Sequence, residues 1–221
     1  MSTSVEHLQQ RTLDATELLG DLIPSAITLA TMLRHRTMAT WLRQEYEGYA
    51  DHQQAPPYRR ELPGHIVAKS PQYGWIPAPV EEHQTEQFGR LDLLDPVREL
   101  EHTCLNCKKG NGSRILLARE DLATLQKQIN LSADLAINIS RDVYCQLLRT
   151  VRGGLHLWLE ALVAAGLEGE HNQFSRDEKA QVAHLDTPQD FWRRAMAERD
   201  SLPVPDVREL GLLERMFGRA G

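Results

Sequence analysis

Residues 131–166, LSADLAINISRDVYCQLLRTVRGGLHLWLEALVAAG, join two periodicities with no loop between them. Leu131, Ala133, Leu135, Ile137 and Ile139 fall on alternate positions, the period-two pattern of a half-buried strand. Ser140 then offers an N-cap, and Val143, Leu147, Leu148, Val151, Leu155, Trp158, Leu159 and Leu162 recur at helical spacing as far as Gly166. A strand running straight into a long apolar helix predicts a core of both element types with this helix at its centre. The helix keeps Gly153 and Gly154 in its middle, at a cost of about 2 kcal/mol against alanine. Either its burial offsets that cost, or another backbone packs closely against the pair.

Toward the N-terminus, residues 3–23 read as helical, with Val5, Leu8, Leu13, Leu18, Leu19, Leu22 and Ile23 loosely periodic. Pro24 predicts a kink or a fresh start near residue 22. Beyond it, Ala26, Ile27, Ala30 and Leu33 continue one apolar face. Thr37 is the expected N-cap of a second helix whose apolar face carries Met38, Trp41, Leu42 and Tyr46, and Gly48 stops it. The prolines of APPY force an extended entry. Tyr58, Arg60 and Leu62 then alternate with Arg59 and Glu61, suggesting short strands that continue through HIVA. SPQYGWIPAP reads as a polyproline-like loop. Asp95 and Pro96 predict a short helix carrying Val97 and Leu100, and KKGNGSRILLA predicts a turn and a strand.

Past Gly166 the texture becomes polar. Ser175 and Glu178 form a capping-box pattern, and Thr187 and Pro188 open a helix with Phe191, Trp192 and Ala195 on one side. SLPVPD reads as a linker before a last amphipathic helix bearing Leu210, Leu213, Met216 and Phe217. The expected fold class is α+β, predominantly helical: N-terminal helices, a small sheet in the middle, a long C-terminal core helix and a helical tail. The expected division is a domain over 1–166 and a helical appendage over 167–221, packed on the domain or used for self-association.

The 221 residues carry 31 acids against 25 lysines and arginines, a formal net charge of -6. That argues against broad nonspecific binding to nucleic acid, which depends on neutralising phosphates. No apolar run approaches the roughly 20 residues that span a bilayer. MSTSVEHLQQ has neither a basic nor an apolar signal region. Three cysteines are too few for a disulfide framework and fit a reducing cytoplasm.

No nucleophile elbow, Walker loop, dinucleotide fingerprint or HExxH motif occurs, and no cofactor is implied. His102, Cys104 and Cys107 give H-x-C-x-x-C, three potential zinc ligands without the second pair that a structural site needs. Loop thiols are the better reading. His156 reads as a solvated or structural histidine at the polar edge of its helix. Arg34, Arg36, Arg43, Arg59 and Arg60 concentrate positive charge in an acidic chain, and a solvated surface accounts for them better than a nucleic-acid or small-ligand sensor. Glu45 is more informative. It lies four residues after Trp41 and four before Tyr49, on the apolar face of its own helix. An ionised acid there needs a partner, and Arg59 or Arg60 can supply a two-bonded fork. A structural ion pair is favoured over a catalytic acid; an enzymatic toxin acting on nucleic acid would need Glu45, Arg59 and His65 to converge.

The pattern Trp41-x-x-x-Glu45-x-x-Gly48-Tyr49, followed by Pro57-Tyr58-Arg59, resembles the AbiTii abortive-infection family. Tyr46 stands where that pattern usually has leucine. GWIPAPV is similar to the family's Pro-Ile-Pro segment, and INISRDVYCQLLRTVRGGLHLWLEAL, with Arg152, to its later strand and helix. The resemblance spans roughly residues 15–165. It implies a mostly helical α+β domain of bacterial anti-phage and anti-plasmid systems, and no settled catalytic residues. A defence module working by protein–protein recognition or self-association is therefore the expectation.

Overall fold

In the computed structural model, which describes residues 4–107, 112–167 and 173–207, the first helical run divides into α1 (Ser4–Thr12) and α2 (Leu19–Leu33). This differs from a continuous helix over 3–23 restarting near residue 22: the break falls at 13–18, and α2 runs through Pro24. Pro24, the sixth residue of α2, forfeits a bond to the Gly20 carbonyl, and the helix continues through it.

α2 ends at Arg34 in the left-handed conformation (φ 64°), and α3 (Arg36–Glu47) follows at once. His35, not Thr37, is the N-cap position. Thr37 lies inside the helix because the distant Asp186 carboxylate accepts the N–H groups of Thr37 (3.1 Å) and Met38 (2.7 Å). Met38, Trp41, Leu42 and Glu45 are buried, whereas Tyr46 is 37% exposed. Tyr46 stands about 100° around the helix from Glu45, off the buried stripe. Gly48 ends α3 with φ 90°, a conformation that lets the Tyr49 N–H reach the Leu94 carbonyl at 2.8 Å.

Pro57–Arg59 form a 3-10 turn where a strand was expected, so Tyr58 and Arg59 are both buried instead of alternating. Then come β1 (Leu62–Pro63), β2 (His65–Ser70), β3 (Gly74–Pro77), α4 (Glu82–Phe88), β4 (Arg90–Leu91) and α5 (Val97–Asn106). The segment expected to be a polyproline-like loop thus contains a strand, β3, turned back on β2 with Gly74 at φ 71°. Its Pro77 is tolerated because β3 is an edge strand. α5 begins one residue later than the Asp95 cap implied, with Pro96 in the N-cap position. After β5 (Ser113–Leu116) comes α6 (Arg119–Ile129), which the sequence barely signals because only Leu125 is fully buried on it.

β6 (Leu135–Ile139) is shorter than the alternation from Leu131 suggested; Leu131 and Ala133 pack against the small cluster that includes Leu125. The sheet order is β3-β2-β6-β5, antiparallel throughout, with Ile66 and Ile115 flanking Ile137 in register. Ile66, Ala68, Leu135, Ile137 and Ile139 are buried; Phe88 and Leu125 of the neighbouring helices pack with Ile66, Ala68 and Leu135, whereas Ile137 and Ile139 belong to the main core. His65, Lys69, Arg114 and Leu116 are exposed.

From Ser140 springs α7 (Arg141–Ala164), buried along nearly its whole length, followed by α8 (Arg176–Val182) and α9 (Pro188–Ala197). The Ser175–Glu178 capping box forms as expected. The glycine pair of α7 is explained by close approach: a Cβ on Gly153 would lie 3.1 Å from the Ala195 Cβ, and one on Gly154 3.3 Å from both the Trp192 Cα and the Trp41 ring. α9 is therefore seated directly on α7. The helix expected around Leu210, Leu213, Met216 and Phe217 lies outside the described residues, as does most of the polar stretch after Gly166.

A bulky side chain at Gly154 should wedge α9 off α7. Gly154→Leu is expected to lower unfolding free energy by about 1–3 kcal/mol in urea titration; unchanged stability would contradict the tight seating.

Candidate functional site

Glu45 and Arg59 are each fully buried, and their side chains meet at 2.7 Å (Arg59 Nη2 to Glu45 Oε2). Arg59 Nε donates to the same carboxylate at 3.2 Å. Arg59 Nη1 donates to the carbonyls of Leu93 (2.7 Å) and Asp95 (2.9 Å), in the segment leading into α5. Glu45 Oε1 accepts the hydroxyls of Tyr49 (2.6 Å) and Tyr58 (2.7 Å), and the Trp41 indole N–H donates to the Tyr58 hydroxyl at 2.8 Å. The Arg59 guanidinium also lies 5.0 Å from the centre of the Tyr49 ring.

Each charge thus has the partners that burial demands. Burial works against the Arg59 cation, but Glu45 more than offsets it and holds the pKa above its ordinary value. Burial, then the Glu45 charge, pushes both tyrosines upward, so they remain hydroxyl donors. Trp41, Glu45, Tyr49, Tyr58 and Arg59 converge in one network, with Gly48 and Pro57 shaping the backbone that brings them together. Arg60 is not a partner of Glu45, and His65 is exposed at the start of β2. The two charges are sealed from solvent, while Trp41 and Tyr49 at the edge of the network border a surface recess. The network's chemistry is cross-linking: it ties α3 to the 3-10 turn and to the approach to α5.

Two more buried charges serve the backbone. Glu101 of α5 accepts the N–H groups of Leu19 (2.7 Å) and Gly20 (3.0 Å), capping α2 from another element. Burial raises its pKa against the pull of those bonds. Arg152 of α7 donates to the carbonyls of Thr12, Asp14 and Glu17, and so gathers the α1–α2 connection. With Asp186 at α3, these residues do the work of local caps, and no local sequence pattern announces them.

His156 is buried rather than at a polar edge, because α1 packs over that side of α7. Its Nδ1 bonds the Thr12 hydroxyl at 2.8 Å. His35 is equally buried and accepts the Trp158 indole N–H at 3.3 Å. His102 is exposed and Cys107 half-buried, whereas Cys104 is buried and hydrogen-bonded to Cys145, which with burial pushes its thiol pKa upward. Among the described residues no group of three or more histidine, cysteine or acidic side chains is placed to hold a metal ion. No helix among them is long and apolar enough to cross a membrane.

The AbiTii family model matches residues 4–187, and the chain belongs to that family. The match begins earlier and ends later than the resemblance visible by eye, taking in α1, α8 and Asp186. Membership supports an abortive-infection role in defence. No curated protein and no solved structure matches the chain.

Glu45→Gln should leave Arg59 buried without its counter-charge and cost about 3–5 kcal/mol in chemical denaturation. Intact stability together with a lost defence phenotype would instead make Glu45 a functional acid.

The buried histidines give a pH dependence. Burial lowers the pKa of His35 and His156 below the ordinary 6.5. As pH falls through the unfolded value, the unfolded chain takes up protons that the folded chain refuses, so stability is full above that value and declines below it. Melting temperature should drop between neutral and mildly acidic pH, and His156→Gln should flatten the slope.

Proposed function

We propose that this protein serves defence by protein–protein recognition, docking on a second copy of its own chain through the free edge of β5. The supporting observation is where apolar surface remains. Ile115 and Leu116 of β5 are 41% and 69% exposed, and Tyr73 and Ile76 are exposed on or beside the opposite edge. β5 ends the sheet order, so among the described residues one row of its backbone groups has no strand partner. Edge strands are commonly blunted by proline or lysine. β3 ends in Pro77, whereas β5 reads Ser113-Arg114-Ile115-Leu116 and has neither. An antiparallel edge can pair with its own copy across a two-fold axis, the commonest closed symmetry. A neighbouring effector is the other occupant this edge could accept by the same backbone pairing.

A toxin working at Glu45 is disfavoured because that carboxylate is 0% exposed and engaged by Tyr49, Tyr58 and Arg59.

Analytical ultracentrifugation tests the reading. The parent chain should dimerise, and Ile115→Lys/Leu116→Lys should be monomeric with unfolding free energy changed by no more than about 0.5 kcal/mol. A parent that stays monomeric at every concentration, or a double variant that still dimerises, overturns it.

A further inference from the structure

Where α2 ends, α3 begins and α8 passes over both, the surface sinks into a cavity of about 560 Å³ lined by Leu33, Arg34, His35, Lys179, Ala183 and Asp186, with Arg176 at its wall. The volume is within the range of small-molecule sites. Its lining divides by chemistry. Arg34, Arg176 and Lys179 bring three cations together, and among the described residues none of them makes an ion pair. Leu33, Ala180 and Ala183 give an apolar patch. The one acid, Asp186, has both carboxylate oxygens engaged by the Thr37 and Met38 N–H groups.

Two details of the wall bear on how the cavity is built. His35 is only 1% exposed, and its Nε2 is buried beside the Val182 carbonyl. Its Nδ1 accepts from the Trp158 indole, which can only donate, so Nε2 must carry the hydrogen. That hydrogen is closed off from the cavity, and the Val182 carbonyl beside it is its acceptor, so His35 braces the wall from behind. Arg34 also occupies a left-handed position (φ 64°), where glycine or asparagine is the usual residue. A long cationic side chain stands there despite the backbone strain.

We propose that this cavity binds a small phosphorylated ligand, its phosphates held by Arg34, Arg176 and Lys179 and its flat part laid on Leu33, Ala180 and Ala183. The inference goes beyond the recognition reading and is independent of it. Arginine forks and a lysine ammonium suit phosphate oxygens, and the apolar patch suits a base or another flat group. A small ligand is favoured over nucleic acid because the cations converge on one recess of a chain of net charge -6 rather than forming a stripe across its surface.

Isothermal titration of the full chain with ATP, and separately with inorganic pyrophosphate, at low and high salt, tests the site. Both Arg176→Gln/Lys179→Gln, which spares the Ser175–Glu178 cap, and Arg34→Asn, which suits the left-handed backbone, should keep the parent's unliganded melting temperature. Binding of ATP should weaken by about tenfold or more in each variant and should weaken with salt. Absence of heat with both probes up to millimolar concentration overturns the proposal, as does binding that neither variant alters. A single-stranded oligonucleotide that displaces ATP and binds more tightly would also overturn it, and would assign the cations to nucleic acid.

Discussion

Glu45 and Arg59 have been taken entirely out of water, and the rest of the fold is arranged to make that tolerable. Attraction between two such charges barely repays their lost hydration, so a buried pair is weak grounds for extra stability. What it supplies here is geometry. The guanidinium fixes α3 at one end and the Leu93 and Asp95 carbonyls at the other, across a chain interval that includes β2 and β3, two of the four strands of the sheet. Tyr58 extends the network: its hydroxyl takes the Trp41 indole N–H, and its ring packs edge-on against Trp192 at 5.5 Å between centres. Trp41 and Trp192 in turn close over Gly154. The clasp, the glycine pair and the seating of α9 on α7 are therefore one connected arrangement.

The same constraint recurs at the helix ends. The first N–H groups of a helix need acceptors, and α2 and α3 lack side-chain caps of their own. Glu101 and Asp186 reach them from other elements, while Arg152 satisfies carbonyls in the connection between α1 and α2. Each bond crosses a long interval of sequence, so helix boundaries in this protein are set by tertiary partners. That accounts for α3 starting before Thr37, the residue that looks like its cap.

The sequence made some of this legible. An acid on the apolar face of a helix demands a cation, so Glu45 announced a partner from spacing alone. Which of Arg59 and Arg60 would answer could not be read, because the choice depends on local backbone: strand alternation would send them to opposite faces, whereas the 3-10 turn buries Tyr58 and Arg59 together. The glycines of α7 likewise announced a close neighbour without naming α9. His156 was misplaced because periodicity marks the most apolar face of a helix, and α7 is wrapped on almost every side. α6 escaped notice for the opposite reason, having one fully buried residue and no stripe to detect. Asp186, Glu101 and the cavity beside His35 left no local pattern, since their roles exist only once distant elements meet.

The charged centre of the motif that ties this chain to its family is closed to other molecules. Glu45 and Arg59 are fully buried, and Trp41, Tyr49 and Tyr58 are nearly so. Such a motif specifies a scaffold: change one member and the partners around it lose their satisfaction together. Among the described residues the scaffold leaves outside the outer edge and aliphatic side chains of β5, and the cations of Arg34, Arg176 and Lys179 around a recess, which are the features the proposed recognition would use. The recess shares its wall with α3 through Asp186 and His35, and α3 carries Glu45. α3 thus runs from His35, at the wall of the recess, to Glu45 in the clasp, so a ligand held in the recess would lie against the first turn of the helix whose last turns form that clasp.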